Sequence, residues 1–293
     1  MALWIWIVTS WIVSATAVVG NAFVIYIIGT RKTLRTTANV FICSLAISDI
    51  GVGISSFVPG AYFLDYFVSS EGVLQETCDF LASIFYSASV LNLCLMTVNR
   101  YIAIALPYKY MSIMSRTCVV FLVTLSWFAS VFISLVPLAW ISNNDEQQRL
   151  QANSIFYPTI SLLLVVSSYL ILIPTTLHVY LIALKHYNRI NAVNVQLRFN
   201  HGRQTSFRAR DTSSSKVLMI AAVVFILCYS VQLSQEICDL FSTCSVNSYL
   251  TMLLLLLNSA INPFVYLFHK TDIRRELRIL LKPCCCLKLL CTE

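Results

Sequence analysis

Charged residues make up only 11% of this 293-residue chain, whereas ordinary soluble domains carry about 25%. The sequence also lacks paired C-x-x-C spacings, its four histidines are scattered, and it contains no nucleophile–base set or cofactor motif. Hydrophobic residues reach 58% and lie in long runs. Almost nothing remains for a soluble catalytic domain, so we expect a membrane protein that is not an enzyme.

Seven stretches reach the roughly 20 mainly apolar residues that a membrane-spanning helix needs. The sequence therefore predicts an all-α bundle of seven transmembrane helices, at residues 3–29, 39–64, 78–106, 117–141, 155–184, 214–237 and 248–268. Residues 1–268 would form this transmembrane domain, and residues 269–293 would form a cytoplasmic amphipathic helix and a cysteine-rich tail.

The predicted eighth helix is short. In "TDIRRELRILLKP" one helical face is apolar and the basic residues lie elsewhere, which is typical of a helix lying on the inner leaflet among membrane lipids. We expect Pro283 to end this helix, since proline interrupts helical hydrogen bonding. Three cysteines follow at the membrane surface, and we expect palmitoylation at Cys284, Cys285 and Cys286.

Lysine and arginine orient the bundle. Nineteen of the twenty basic residues fall on one side of the predicted spans, and Arg149 alone falls on the other. Basic loops stay in the cytoplasm, so the N-terminus is predicted outside and the C-terminus inside. The net charge of +7 is therefore a topology signal and not a nucleic-acid surface. We expect a multi-pass protein of the plasma membrane.

Polar residues inside the spans mark a candidate site, because an ionisable group in hydrocarbon costs several kcal/mol. Asp49 is the only acid deep in any span, and five amides and hydroxyls lie at a similar depth: Asn21, Ser89, Asn258, Ser259 and Asn262. Their oxygens suit a hard cation, so Asp49 could hold a sodium ion. The alternative is a hydrogen-bond network that holds the helices together, and the two are compatible.

Motifs on all seven predicted spans carry a resemblance: "GN" at 20–21, "SLAISD" at 44–49, "NRYIAIALP" at 99–107, Trp127, Pro174, "FILCY" at 225–229 and "NPFVY" at 262–266. In this order they resemble the rhodopsin-like (class A) G-protein-coupled receptors over almost the whole chain. The resemblance implies a receptor that binds an extracellular ligand and activates heterotrimeric G proteins. It also implies an allosteric sodium site at Asp49.

The resemblance assigns roles at the cytoplasmic side. Arg100 matches the arginine that engages the G protein, Tyr266 the tyrosine that turns inward on activation, and Phe225 the aromatic residue that repacks. Asp211 lies where the family often places an acid that pairs with the arginine at rest. The residues implied in coupling and activation are Asn99, Arg100, Tyr101, Pro107, Asp211, Phe225, Tyr229, Asn262, Pro263 and Tyr266.

Three positions depart from the family pattern. Asn99 replaces the usual aspartate before the arginine, Tyr229 the usual tryptophan, and Val231 the usual proline. A neutral partner holds Arg100 less firmly than a charged one. We therefore expect raised basal signalling unless Asp211 compensates. The same departures leave a non-signalling decoy or scaffold as the alternative function, and a transporter as a weaker one, because no internal repeat is visible.

The resemblance also places a ligand pocket at the outer half. Leu256 occupies the position that matches the retinal-binding lysine of opsins, so we expect no retinal. Ala82 occupies the position that matches the amine-binding aspartate. We expect a small-molecule or short-peptide ligand, favoured by an acidic mouth, in a pocket lined by Asp79, Ala82, Ser83, Tyr86, Tyr229, Gln232, Glu236, Tyr249 and Met252. Arrestin is a further implied partner, although the tail has few hydroxyl groups.

The family disulfide to the second outer loop cannot form, because residues 128–173 contain no cysteine. The outer cysteines that remain are Cys78, Cys238 and Cys244. We expect a local Cys238–Cys244 bridge. Cys78 would then be free, or it would pair with one of the two instead.

Overall fold

In the computed structural model of the chain, the described residues are 2–62, 73–141, 146–201, 212–241 and 248–289. All secondary structure within those ranges is helical. Seven helices are long and apolar enough to cross a membrane, which confirms the predicted seven-helix bundle. They are α1 (Ala2–Thr30), α2 (Thr37–Tyr62), α3 (Val73–Ala105), α5 (Arg116–Leu135), α7 (Glu146–His201), α8 (Thr212–Phe241) and α9 (Ser248–His269).

Shorter elements connect or follow these helices. They are a 3₁₀ turn at Lys32–Leu34, the one-turn helices α4 (Tyr110–Ile113) and α6 (Leu138–Ile141), and the eighth long helix, α10 (Thr271–Leu289). We call the end of the bundle that holds Arg100 and Lys270 the inner end. The end that holds Trp6 and Glu236 is the outer end.

Two predicted spans differ most from the helices in the structure. The fourth ends at Leu135 and not at residue 141, because Pro137 has no N–H to donate; the Val136 N–H bonds Ile133 O at 3.4 Å in a tighter turn. The fifth continues to His201 and not to residue 184. Its polar extension, "KHYNRINAVNVQLRFNH", contains no glycine or proline that would stop it.

The predicted end of the eighth helix was also wrong. The α10 backbone continues through Pro283 to Leu289, since an interior proline removes one hydrogen bond and can leave the following turns intact. Its apolar face packs against the protein and not only on lipid, which was not predicted: Ile273 is fully buried, and Leu277 and Leu280 pack against the core. The α10 helix therefore lies against the inner end of the bundle.

The packing of α5 shows which residues of an apolar helix face the interior of the bundle. Its large side chains, such as Phe121, Phe128 and Phe132, are exposed, whereas Ser126, Ser130 and Ser134 are buried. Small residues let helices approach closely when lipid is as apolar as the large side chains. The Ser134 and Ser83 hydroxyls lie 2.9 Å apart, so this serine face joins α5 to α3.

One glycine is required by close packing at the middle of the bundle. A Cβ atom on Gly20 of α1 would lie 2.9 Å from the Pro263 ring of α9, closer than carbon atoms pack. The contact brings α1 against the proline-containing segment of α9. It also places Asn21, the next residue, beside the polar cluster described below.

Candidate functional site

Asp49 joins three helices at the middle of the bundle. Its side chain is fully buried, and its two carboxylate oxygens accept hydrogen bonds from different neighbours. The Ser89 hydroxyl of α3 donates to Oδ1, and the Asn262 amide of α9 donates to Oδ2, both at 2.8 Å. The Ser259 side chain also bonds the carboxylate. The structure therefore brings together most of the polar cluster that the sequence predicts.

Asn21 completes the cluster from α1. Its amide nitrogen donates to the backbone oxygen of Ala17 at 2.9 Å and to that of Ser259 at 3.1 Å. Its side-chain oxygen is buried with no hydrogen-bond partner, and Asn258 is buried one residue before Ser259. A carboxylate, two hydroxyls and an unsatisfied amide oxygen form the oxygen-rich ligand set that sodium prefers. The residues present fit a sodium ion.

A second polar network was not predicted. The Trp127 indole of α5 donates to the Ser44 hydroxyl of α2 at 3.0 Å, and Ser44 donates to the Asn92 amide oxygen of α3 at 2.7 Å. Trp127 was singled out in the sequence, but its partners could not be found, because serine and asparagine carry no periodic signal. The network fixes α2, α3 and α5 around Asp49.

Arg100 lies at the inner end of α3. No acid among the described residues forms an ion pair with it. The neighbouring Asn99 is fully buried; its oxygen accepts a hydrogen bond from the Tyr110 hydroxyl at 3.1 Å, and its amide nitrogen has no partner. Asp211, the acid that the resemblance places nearby, lies outside the described residues. A neutral bond from α4 therefore stands where the family uses a charged residue.

Tyr101 and Pro107 frame this inner segment. The Tyr101 ring packs against His178 of α7, with ring centroids 5.5 Å apart. Pro107 follows the end of α3 and is exposed, and its carbonyl accepts the Tyr110 N–H at 3.4 Å. The turn at Pro107 thus carries Tyr110 back toward Asn99.

An aromatic cluster connects α7 to α8 at the middle of the bundle. Phe225 and Tyr229 are buried and stacked, with ring centroids 4.1 Å apart. Tyr169 of α7 packs edge-on against Phe225 at 5.9 Å, and its hydroxyl donates to the Ile226 backbone oxygen at 3.0 Å. The sequence predicted Phe225 and Tyr229 but missed Tyr169, because one aromatic residue in an apolar helix is unremarkable.

Tyr266 is a fully buried tyrosine of α9, one turn after Asn262. Its hydroxyl lies 3.6 Å from the Met96 sulfur of α3. A thioether is a weak acceptor, so this hydroxyl is held loosely. Pro263 lies between Asn262 and Tyr266 and removes one backbone hydrogen bond from α9, which permits bending at this point.

A buried lysine at the inner end was missed by the sequence analysis. Lys270 is 3% exposed, its ammonium donates to the Asn39 side-chain oxygen of α2, and it lies 3.5 Å from an Asp272 carboxylate oxygen. Burial, and then the charge of Arg100, lower the pKa of Lys270 to about 8. A basic residue just after the last span looked like an ordinary topology signal.

Glu276 of α10 makes a parallel contact with the first inner loop. Its carboxylate is buried, it accepts the Thr33 hydroxyl at 3.1 Å, and it lies 3.8 Å from Arg31 Nε. Lys270 and Glu276 thus connect α10 to α2 and to the end of α1. Both contacts join residues more than 200 positions apart, which no local pattern predicts.

At the outer half, three polar side chains meet between α7 and α8; we call Ser161, Gln232 and Glu236 the outer polar trio. The Gln232 amide nitrogen donates to the Ser161 hydroxyl at 2.7 Å and to Glu236 Oε1 at 3.2 Å. The Gln232 side-chain oxygen is buried with no partner. The sequence predicted Gln232 and Glu236 but not Ser161.

The other predicted pocket residues are spread over the outer half. Ala82, Ser83 and Tyr86 lie half-buried on α3. Tyr249 is exposed on one side and packs on Trp6 of α1 at 4.9 Å, and Met252 is 57% exposed. The structure thus does not bring Tyr249 or Met252 to the outer polar trio. The side chain of Asp79 lies outside the described residues.

The predicted cysteine chemistry is only partly covered. Cys238 is disulfide-bonded, and Cys78 carries a buried thiol. Cys244 lies outside the described residues, so the Cys238–Cys244 pairing stays a prediction. The side chains of Cys284, Cys285 and Cys286 also lie outside them.

The described residues form seven apolar helices with a buried carboxylate at their centre and an arginine at their inner end. Residues 20–266 match the family model described as 7 transmembrane receptor (rhodopsin family), so the chain belongs to the rhodopsin family of seven-transmembrane receptors. It is a multi-pass membrane receptor and not an enzyme.

Named relatives extend this similarity. The chain is 28% identical to the octopamine receptor beta-2R of Chilo suppressalis, over 89% of this chain and 75% of that protein. It is 28% identical to the adenosine receptor A3 of Ovis aries, over 93% of this chain and 88% of that protein. It is 24% identical to the adenosine receptor A2a of Canis lupus familiaris, over 96% of this chain and 73% of that protein.

Proposed function

We propose that this protein binds an extracellular small molecule at the plasma membrane and activates heterotrimeric G proteins through its inner end. The observation that carries the proposal is the state of Arg100. It lies half-buried at the inner end of the bundle, where no described acid forms an ion pair with it and Asp272 of α10 is the described acid whose charge acts on it. A guanidinium in that state can donate its fork of N–H groups to a partner protein.

Raised basal signalling follows from the neighbour of Arg100. Asn99 bonds Tyr110 through neutral groups, whereas a charge-assisted bond is stronger by about 1 kcal/mol. Removing that much stabilisation from the resting state raises the ratio of active to resting receptor about fivefold. We therefore expect measurable signalling without ligand.

Sodium binding at the Asp49 cluster is part of the proposal. The ion would be held by Asp49, with Ser89, Ser259 and the unsatisfied Asn21 oxygen as further ligands. A cation at this point would favour the arrangement in which these helices are close together, because it neutralises a buried carboxylate.

The named relatives favour a small-molecule ligand over a peptide. Their names refer to octopamine and adenosine, both small polar molecules with N–H donors. Arrestin and membrane lipids remain further proposed partners. Acylation at Cys284 to Cys286 would anchor α10 beside the inner leaflet.

Basal G-protein activation tests the proposal directly. The wild type, Arg100→Ala and Asn99→Asp would be expressed at matched surface levels, and nucleotide exchange on the G protein measured without ligand. We expect the signal to be lost in Arg100→Ala and reduced about fivefold in Asn99→Asp. Asn188→Asp is the matched control, because it adds the same charge at an exposed position on α7.

The outcomes separate the alternatives. Equal signals from the wild type and Asn99→Asp would contradict the basal mechanism. An absence of signal from every variant, together with an absence of signal from a chimera carrying the outer half of an established receptor, would favour the decoy function.

A further inference from the structure

The outer polar trio has used all of its own hydrogen-bond donors. Gln232 donates its two amide hydrogens, one to Ser161 and one to Glu236. The Ser161 hydroxyl in turn bonds Glu236, and an ionised carboxylate has nothing to donate. The orientation of the Gln232 amide is fixed, since the reverse orientation would place its oxygen against the carboxylate. Only acceptors remain.

Those remaining acceptors are partly shielded from water. The Gln232 oxygen is buried without a hydrogen-bond partner, which is unfavourable until a donor reaches it. Glu236 is half-buried, forms no ion pair with a described lysine or arginine, and carries a further negative charge, Asp239, one turn along α8. Among the side chains that the structure describes, none supplies this site with a further hydrogen-bond donor or a positive charge.

We propose that the outer polar trio binds the protonated amine or amidine end of a small ligand. The ligand's N–H groups would supply the missing donors to Gln232 and Glu236, and its charge would balance the carboxylate. The carboxylate of the trio, Glu236, lies on α8, so the cation would be bound from that helix. This inference rests on the proposed ligand-binding function and adds the chemical class of the ligand.

The position of the trio connects ligand binding to the aromatic cluster. Tyr229 lies three residues before Gln232, one helical turn further into the bundle, and stacks on Phe225. A cation that draws α7 and α8 together at the trio would press on this stacked pair. The same contact thus links the outer half to the buried stack of Phe225 and Tyr229.

A matched set of probes tests the chemical class. The purified receptor in detergent would be mixed with 2-phenylethylammonium, 2-phenylethanol or phenylacetate, each at concentrations up to about 10 mM. Ligands of about nine heavy atoms bind weakly, so millimolar concentrations are needed. We expect the ammonium compound alone to raise the midpoint of thermal unfolding.

Variants locate the binding. Glu236→Gln should weaken the ammonium probe about tenfold to a hundredfold, and Gln232→Leu should weaken it about tenfold. Asp272→Asn is the control, because it removes the same charge at the inner end of the receptor; its effect should be no more than about twofold. Equal shifts from all three probes, no shift from the ammonium compound, or an unchanged shift in Glu236→Gln would overturn the inference.

The readout distinguishes this inference from the proposed function. Binding is measured without a G protein, so an ammonium shift without any signalling supports the trio and contradicts G-protein activation. Basal signalling without an ammonium shift contradicts the trio alone.

Discussion

The Asn99 side-chain oxygen accepts a hydrogen bond from the Tyr110 hydroxyl at 3.1 Å, and this bond joins the end of α3 to the short helix α4. Asn99 is fully buried, and its amide nitrogen has no partner. The hydroxyl of Tyr110 is thus the described side-chain group that satisfies the Asn99 oxygen.

Removing that hydroxyl should destabilise the inner end. Tyr110→Phe would leave the Asn99 oxygen buried without a donor, and we expect the free energy of unfolding to fall by about 1–3 kcal/mol. Chemical denaturation of the purified receptor in detergent measures the change. Tyr108→Phe is the control, since Tyr108 is fully exposed. Equal losses in the two variants would mean that the Asn99 contact contributes nothing.

Lys270 should make stability depend on pH in the alkaline range. Its pKa is about 8 in the folded protein and about 10.4 in an unfolded chain, so the unfolded state binds more protons between those values. The Lys270 contribution therefore rises as pH increases from about 8 to 10.4, by on the order of 3 kcal/mol in total.

The comparison with Lys270→Met isolates this effect. Unfolding midpoints would be measured from pH 7 to 10.5, and the difference between the wild type and the variant should shift in favour of the wild type as pH rises. Lys109→Met changes an exposed lysine and should track the wild type. A pH-independent difference for Lys270→Met would show that its ammonium is not shielded as described.

The contact between Thr33 and Glu276 should couple the first inner loop to α10. We expect Thr33→Val and Glu276→Gln each to lower the unfolding midpoint, and the double variant to lose less than the sum. Coupling of about 0.5–3 kcal/mol is typical of directly bonded side chains. Thr36 lies at an exposed position in the same loop, so the stability losses of Thr36→Val and Glu276→Gln should be additive. Strict additivity for Thr33 would disprove the coupling.

Sodium should stabilise the receptor through Asp49. The wild type should unfold at a higher temperature in sodium chloride than in choline chloride at the same ionic strength, because an ion that binds only the folded state stabilises it. Asp49→Asn should remove the difference, since the amide keeps the shape of the side chain but not its charge. Asp272→Asn removes a carboxylate at the inner end, and this variant should keep the sodium-dependent difference. A sodium effect that persists in Asp49→Asn would place the ion elsewhere.

The site residues that could be predicted were polar residues that differ from the apolar sequence around them. Asp49 and the amides of α9 stand out because polar groups are rare in apolar helices, and that rarity predicted the cluster around Asp49. Lys270 and Glu276 gave no such contrast, because they lie among other charged residues after the last span. Their burial depends on how α10 folds back against Asn39 and Thr33, which is set by tertiary packing.

Helix ends were the weakest predictions for a related reason. Hydropathy marks where lipid ends and not where a helix ends. Apolar residues beyond Leu135 extended the fourth prediction past Pro137, and polar residues after 184 shortened the fifth although the helix continues to His201. Backbone hydrogen bonding, which hydropathy does not measure, decided both.

The length of α7 has a mechanical consequence. From Pro174 to His201 the helix rises about 40 Å, at 1.5 Å per residue. If this part of α7 tilts about Pro174 as a rigid body, a tilt of about 10° would move its far end by about 7 Å. Ser161 lies about 20 Å before the same pivot and would move by about 3 Å, so a displacement at the outer polar trio would be roughly doubled at the far end of α7.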